Sequence, residues 1–219
     1  MGVLLMLMTI GGVMAAIVLL FISYLTKKAW LRKFVIGGVV VWFVFYAVML
    51  IGFSLFSKER VLALNEPKEF CGFYLDCHMH TAVTGVRTTK RIGERTAKGE
   101  FYIVRVKVFS NAKQATLGLH MVDAKVIDEK KRAYDRDLAA EANLGEQPPF
   151  DHKISPVESL EKEIVFDLPA DVRNPRLDLR DGYGIDHLIE VVLIDDEDSI
   201  FHKRNYFNIS EQQNVAGVK

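Results

Sequence analysis

The chain has 219 residues, half of them apolar, and its 28 basic and 28 acidic side chains cancel in net charge. No basic stripe interrupts that balance, so the phosphate neutralisation that gives nucleic-acid binders most of their affinity has no carrier here and no nucleic-acid partner is expected.

Two uncharged apolar runs come first, residues 3–25 and 34–56. Each exceeds the roughly 18–20 apolar residues that cross a hydrocarbon core of about 30 Å, so together they predict a two-helix membrane anchor over residues 1–57. Lys27, Lys28, Arg32 and Lys33 lie between them. Basic residues in short loops favour the cytoplasmic side, which predicts a multi-pass protein of the cell membrane with both termini extracytoplasmic. A cleaved signal peptide is the rival reading of the first run, but no basic residue precedes it and the run outlasts the usual 7–15 or so apolar residues. Gly11 and Ala15, and Gly12 and Ala16, repeat a spacing that lets helix backbones approach closely in lipid, with Ala47 at a matching level on the second run. Neither run holds a charge that would suggest a proton or ion path.

Beyond the anchor, 24 basic and 28 acidic residues remain. Residues 58–76 read as a juxtamembrane linker, 77–210 as one extracytoplasmic β-domain and 211–219 as a tail. Residues 82–91 are strand-like, and the three-residue step from Val83 to Val86 around Gly85 predicts a bulge. In 101–109, Tyr102, Val104, Val106 and Val108 alternate with Arg105 and Lys107, the pattern of a half-buried strand. Leu117, Leu119 and Met121 predict another strand, and Val126-Ile127, a polar turn at 128–131 and a return at 132–134 predict a hairpin. Asp137 as cap, helix formers at 138–143 and Gly145 as stop predict one short helix. Ile164, Phe166 and Leu168 alternate up to Pro169; Leu177 and Leu179 give a short strand; and 188–194, apolar on both parities apart from Glu190, reads as a central strand covered on both faces. The sum is a membrane α-helical hairpin plus an all-β domain, an antiparallel two-sheet sandwich.

Val83 and Val86, the run Gly99-Glu100-Phe101-Tyr102-Ile103-Val104-Arg105-Val106, then Ser110-Asn111, Val126-Ile127-Asp128, residues 155–159 and Val165-Phe166-Asp167-Leu168-Pro169 follow one another in an order that resembles the bacterial extracytoplasmic immunoglobulin-like domains of unknown function. The resemblance covers about residues 76–194. It implies a fold and a compartment and transfers no catalytic residue. The chain departs from the family's common glycine in the 155–159 turn, where Ser155, Pro156, Val157, Glu158 and Ser159 stand.

The most chemically suggestive segment holds the two cysteines, Cys71 and Cys77, followed by His78, Met79 and His80. A disulfide closing this small loop is the first reading. The alternative is copper handling in the periplasm: thiolate, imidazole and thioether suit Cu(I), with His120 and Met121 as further ligands from a neighbouring strand. Alternation opposes a single site, because it puts His78 and His80 on one strand face and Cys77 and Met79 on the other. Asp195, Asp196, Glu197 and Asp198 lack the alternating ligands and glycine of a calcium loop and read as a solvated turn, and Gly182-Tyr183-Gly184 reads as a turn as well. Serine, histidine and carboxylate residues form no catalytic motif, so the chain is not expected to be an enzyme. The expected partners are the lipid bilayer and a protein bound by the β-domain, which makes the whole a membrane-anchored binding or assembly module that needs no cofactor.

Overall fold

The computed structural model describes residues 2–70 and 77–210. Two compact units emerge: one combines the N-terminal helices with Gly184–Arg204, and the other runs from Glu59 to Tyr183 and includes the last strand.

In the first unit α1 (Gly2–Leu25) and α2 (Ala29–Phe56) form a hairpin across a three-residue turn. Both helices are long and apolar enough to cross a membrane. Lys27 takes a positive φ of 54° in the turn, and Ser23 Oγ donates to the Lys28 carbonyl at 2.8 Å. Ala16 and Ser23 are buried and Thr9 is half-buried, a seven-residue spacing that lines small side chains along one seam. Val35, Trp42 and Met49 keep the same spacing on α2, and Trp42 Nε1 donates to Thr9 Oγ1 at 3.0 Å. This corrects the expected packing face: Gly11, Gly12, Ala15 and Ala47 are exposed, and of that set Ala16 alone is buried. At about 100° per residue Gly11 and Ala15 point round the helix from the seam, and a side chain at Gly11 or Gly12 would meet open space.

The second unit is a sandwich. Its strands are β1 (Arg60–Leu62), β2 (Lys68–Phe70), β3 (Met79–Ile92), β4 (Arg95–Ser110), β5 (Asp123–Ile127), β6 (Ala133–Asp135), β7 (Ser159–Leu168), β8 (Arg176–Arg180) and β9 (Asn205–Asn208). One sheet has the order β1-β9-β8-β5-β6 and the other β2-β3-β4-β7. Neighbours pair antiparallel except β1 and β9, which run parallel with Val61 opposite Tyr206. The linker expected at 58–76 therefore holds two strands, one in each sheet. These three-residue strands are too short for periodicity to reveal them, and tertiary pairing alone makes them strands.

Alternation places Val104, Val106 and Val108 of β4, Ile164, Phe166 and Leu168 of β7, Val126 of β5, Leu177 and Leu179 of β8 and Phe207 of β9 in one core between the sheets. The bulge at Gly85 is present as a register shift between Val83 and Gly85, which lets Val83 and Val86 both enter that core. The opposite face of β4 and β7 is covered too. Phe101, Ile103 and Val165 pack with Ala140 of α3 (Leu138–Glu141), a helix capped by Asp137, whose carboxylate accepts from Ala140 N at 2.9 Å. A 3-10 turn over Ala142–Leu144 follows and Gly145, at φ 93°, ends it.

Two expected strands are absent among the described residues. Leu117–Met121 makes a single bridge, Leu117 to Ile154; Leu119 is buried but Met121 is exposed. Residues 188–194 leave the sheet altogether: α4 (Gly184–Glu190) takes the first part and turns the rest. An apolar run of this length does not distinguish strand from helix by period. The sheet position expected for it is taken by β9, whose Phe207 supplies the buried side chain.

Candidate functional site

Cys71 lies outside the described residues, as does any bridge it makes. Cys77 is half-buried just before β3. Met79 is buried in the sandwich core opposite Ser110, whereas His80 sits on the other face with its ring stacked on Phe109 at 5.2 Å. His78 Nδ1 is 2.5 Å from Asn111 Oδ1. His120 lies across a turn, 3.8 Å from the Asp181 carboxylate and edge-on to Tyr183, beside the exposed Met121. The thioether of Met79 and the two neighbouring imidazoles thus occupy opposite faces of one strand, as alternation requires.

A different surface combines strain, exposure and a strand edge left open among the described residues. β7 is an edge strand, and half of its outer edge is already filled. Glu163 N donates to Gln147 Oε1 at 2.6 Å and its carbonyl accepts from Gln147 Nε2 at 3.3 Å. Val165 N donates to Glu141 Oε1 at 3.1 Å while its carbonyl accepts from Asp137 N at 2.8 Å. Glu163 and Val165 belong to the outward-facing series of an antiparallel ladder, which continues two residues at a time to Glu161 and Ser159. There the edge opens on a hollow of about 480 Å³ lined by Pro148, His152, Ile154, Glu158, Ser159, Leu160 and Glu161. Next to it Val157 tops a turn closed by Glu158 N donating to Ser155 O at 3.0 Å and by Ser155 N donating to Glu158 Oε2 at 2.8 Å. Val157 has φ 71° and is 95% exposed. A β-branched residue in the left-handed region is strained, and strain of this kind gathers at functional positions. It stands in the turn where a glycine was the expectation from resemblance.

A second cluster belongs to the helical unit. His187 Nδ1 lies 2.8 Å from Glu190 Oε2 and 3.4 Å from Asp198 Oδ2, and Arg204 pairs with Asp198 at 2.7 Å. His187, Glu190 and Asp198 form the group of three metal-competent side chains found among the described residues. Burial raises the carboxyl of Glu190 above its usual range against the hydrogen bond from His187, and burial likewise raises that of Asp196. The acidic run read as a solvated turn is therefore half-buried over residues 196–198. Sequence spacing could not have joined His187 to Asp198 without knowing that 191–197 turns back.

The family described as a domain of unknown function, DUF4352, matches residues 76–187, just over half of the chain. The chain belongs to this family. The DUF4352 match spans β3 to β8, including the β7 edge and the 155–158 turn, and stops within α4. No curated protein matches the chain. Among solved structures, a secreted protein of Mycobacterium tuberculosis, MPT63, is 10% identical, with 70% of this chain and 98% of that one covered at a TM-score of 0.44. The yjhA protein of Bacillus subtilis is 11% identical, covering 68% and 100% at 0.42. An uncharacterized β-sandwich protein of Clostridium difficile 630 is 10% identical, covering 70% and 96% at 0.39.

Proposed function

We propose that this protein is a two-helix membrane anchor that presents a DUF4352 sandwich on the extracytoplasmic side, where the free half of the β7 edge holds a partner protein. The observation that carries the reading is the strained, exposed Val157 beside the open edge at Ser159 and Glu161. An extended segment laid along such an edge adds a strand through main-chain hydrogen bonds, and the adjacent hollow accepts a side chain. Anchoring rests on the uncharged apolar helices and on the basic loop between them. Compartment bears on the cysteines as well, because an oxidising exterior favours a Cys71–Cys77 bridge over a copper ligand set.

A photo-crosslinking residue at Val157 in intact cells tests the edge, with Leu138, also exposed at 65%, as the control position. One discrete adduct from position 157 and none from 138 is expected; equal patterns from both would remove the edge as the binding surface. Protease added to intact spheroplasts should degrade the sandwich, and alkylation without reductant should leave both cysteines unlabelled. A sandwich that survives until the membrane is opened places it on the other side. Free labelling of Cys77 that copper then prevents would replace the bridge by the metal reading.

A further inference from the structure

Residues 184–204 have a surface turned inside out. Ile185, Leu188, Val191, Val192, Ile200 and Phe201 are exposed, from 38% at Val191 to 73% at Leu188. Meanwhile Asp186, Glu190, Asp196, Glu197, Asp198 and Arg204 are withdrawn to half-buried positions. Among these residues only Asp195 and Lys203 present exposed charges. Water-facing loops show the reverse, since charged groups remain solvated unless paired and apolar ones are covered. Here three of the withdrawn charges are paired, Glu190 and Asp198 with His187, and Asp198 with Arg204 as well.

The segment is also fixed to the helices. Tyr46 OH of α2 donates to the Val192 carbonyl at 2.7 Å, and Ser57 Oγ accepts from Lys203 N at 2.8 Å. Gly2 at the start of α1 lies so close to Ile194 that a side chain there would come within 2.4 Å of its carbonyl oxygen. All three attachments lie away from the basic loop, on helices whose Val48 and Phe53 are themselves exposed.

We infer that Gly184–Arg204 is an interfacial membrane element whose exposed apolar side chains enter the extracytoplasmic leaflet beside the hairpin. The inference rests on the anchor reading, and the occupant of the patch is the lipid bilayer. Lipid explains both halves of the inversion: the apolar groups gain an apolar solvent, and the charges avoid it by pairing toward the protein side. Peptide groups of the turns are satisfied without water, as an apolar surrounding requires: Leu193 N donates to the Glu190 carbonyl at 2.9 Å, Ile200 N donates to the Val191 carbonyl at 3.0 Å, and the Val192 carbonyl accepts from Tyr46.

The full chain is reconstituted in phosphatidylcholine–phosphatidylglycerol vesicles containing lipids brominated at defined depths. Native Trp30 and Trp42, both on α2, report the anchor; Phe201→Trp and Leu188→Trp, each in a Trp30→Phe/Trp42→Phe background, report the segment. Quenching at all four positions is expected, with 188 and 201 lying about 5–10 Å into the headgroup–acyl boundary. Quenched native tryptophans with unquenched, solvent-like emission from 188 and 201 would overturn the inference and leave the anchor standing. Blue-shifted but unquenched emission from 188 and 201 would also overturn it, by showing that protein covers the patch. Unquenched native tryptophans would sink the anchor itself and the inference with it. Because Trp42 bonds Thr9, the same two substitutions in the chain retaining both native tryptophans, read as difference spectra, keep the result independent of the hairpin's tolerance.

Discussion

At the level of single residues, burial and pairing divide the side chains that hold the sandwich from those that are free to act. Val106 is fully buried between the sheets, so Val106→Ala should lower stability by about 1–3 kcal/mol through lost burial and a residual cavity. Chemical denaturation of the full chain in detergent, followed by near-ultraviolet circular dichroism, measures it; an unchanged midpoint would contradict that placement. Asp128 is a buried carboxylate whose burial acts to raise its pKa, but the Arg132 N–H and guanidinium, at 2.8 and 2.7 Å, outweigh this and lower it. Arg132 also holds Asp171 at 2.9 Å and lowers its pKa. Carboxylates with lowered folded-state values stabilise above their ordinary range and lose that contribution as pH falls through it. Melting temperature should therefore be flat near neutrality and fall below about pH 4, the unperturbed carboxylate range. Asp128→Asn should flatten that acid limb while lowering the neutral-pH plateau. The buried Lys68, whose Nζ donates to the Leu179 carbonyl at 2.9 Å across the sandwich, left no mark in the sequence pattern because its partner is a backbone atom 111 residues away.

Among the elements, most of the alternating segments are where the sequence reading and the structure coincide, Leu117–Met121 with its single bridge being the exception. β4, β7, β8 and the β5–β6 hairpin stand where periodicity and turn residues put them, and Asp137 and Gly145 bound the short helix region as capping chemistry requires. Gly99 shows why β4 needs its glycine. Lys98 N and Gly99 N donate to the two carboxylate oxygens of Asp167 at 2.8 and 3.0 Å, which draws the backbone against β7. A Cβ at Gly99 would lie 2.0 Å from the Leu168 carbonyl oxygen. Gly99→Ala must displace main chain and should cost about 1–3 kcal/mol, read as a lower thermal midpoint, whereas Gly85→Ala, where a Cβ meets open space, should be much milder. The misread elements share a cause. Residues 188–194 are apolar on both parities apart from Glu190 and have no period to settle them, β1, β2 and β9 are too short to show one, and the hairpin seam follows a seven-residue line through Thr9, Ala16 and Ser23 that a search at four-residue spacing overlooks.

For the molecule taken entire, chain order and unit membership diverge. The helical unit borrows Gly184–Arg204 from the far end of the chain, between β8 and β9 of the sandwich. That excursion carries the histidine–carboxylate cluster and the inverted apolar surface, and neither is visible to a reading that treats residues 77–210 as one domain. The two apolar helices, the alternating strands with their buried faces and the family of the sandwich were all legible along the chain, because hydrophobic periodicity and length are local properties that any packing must satisfy. The seam of the hairpin, the parallel β1–β9 pair, the closed and open halves of the β7 edge and the meeting of His187 with Asp198 were settled by folding in three dimensions. Each of these depends on which distant segment satisfies a backbone group or covers a side chain, and that choice is made by the packed chain as a whole.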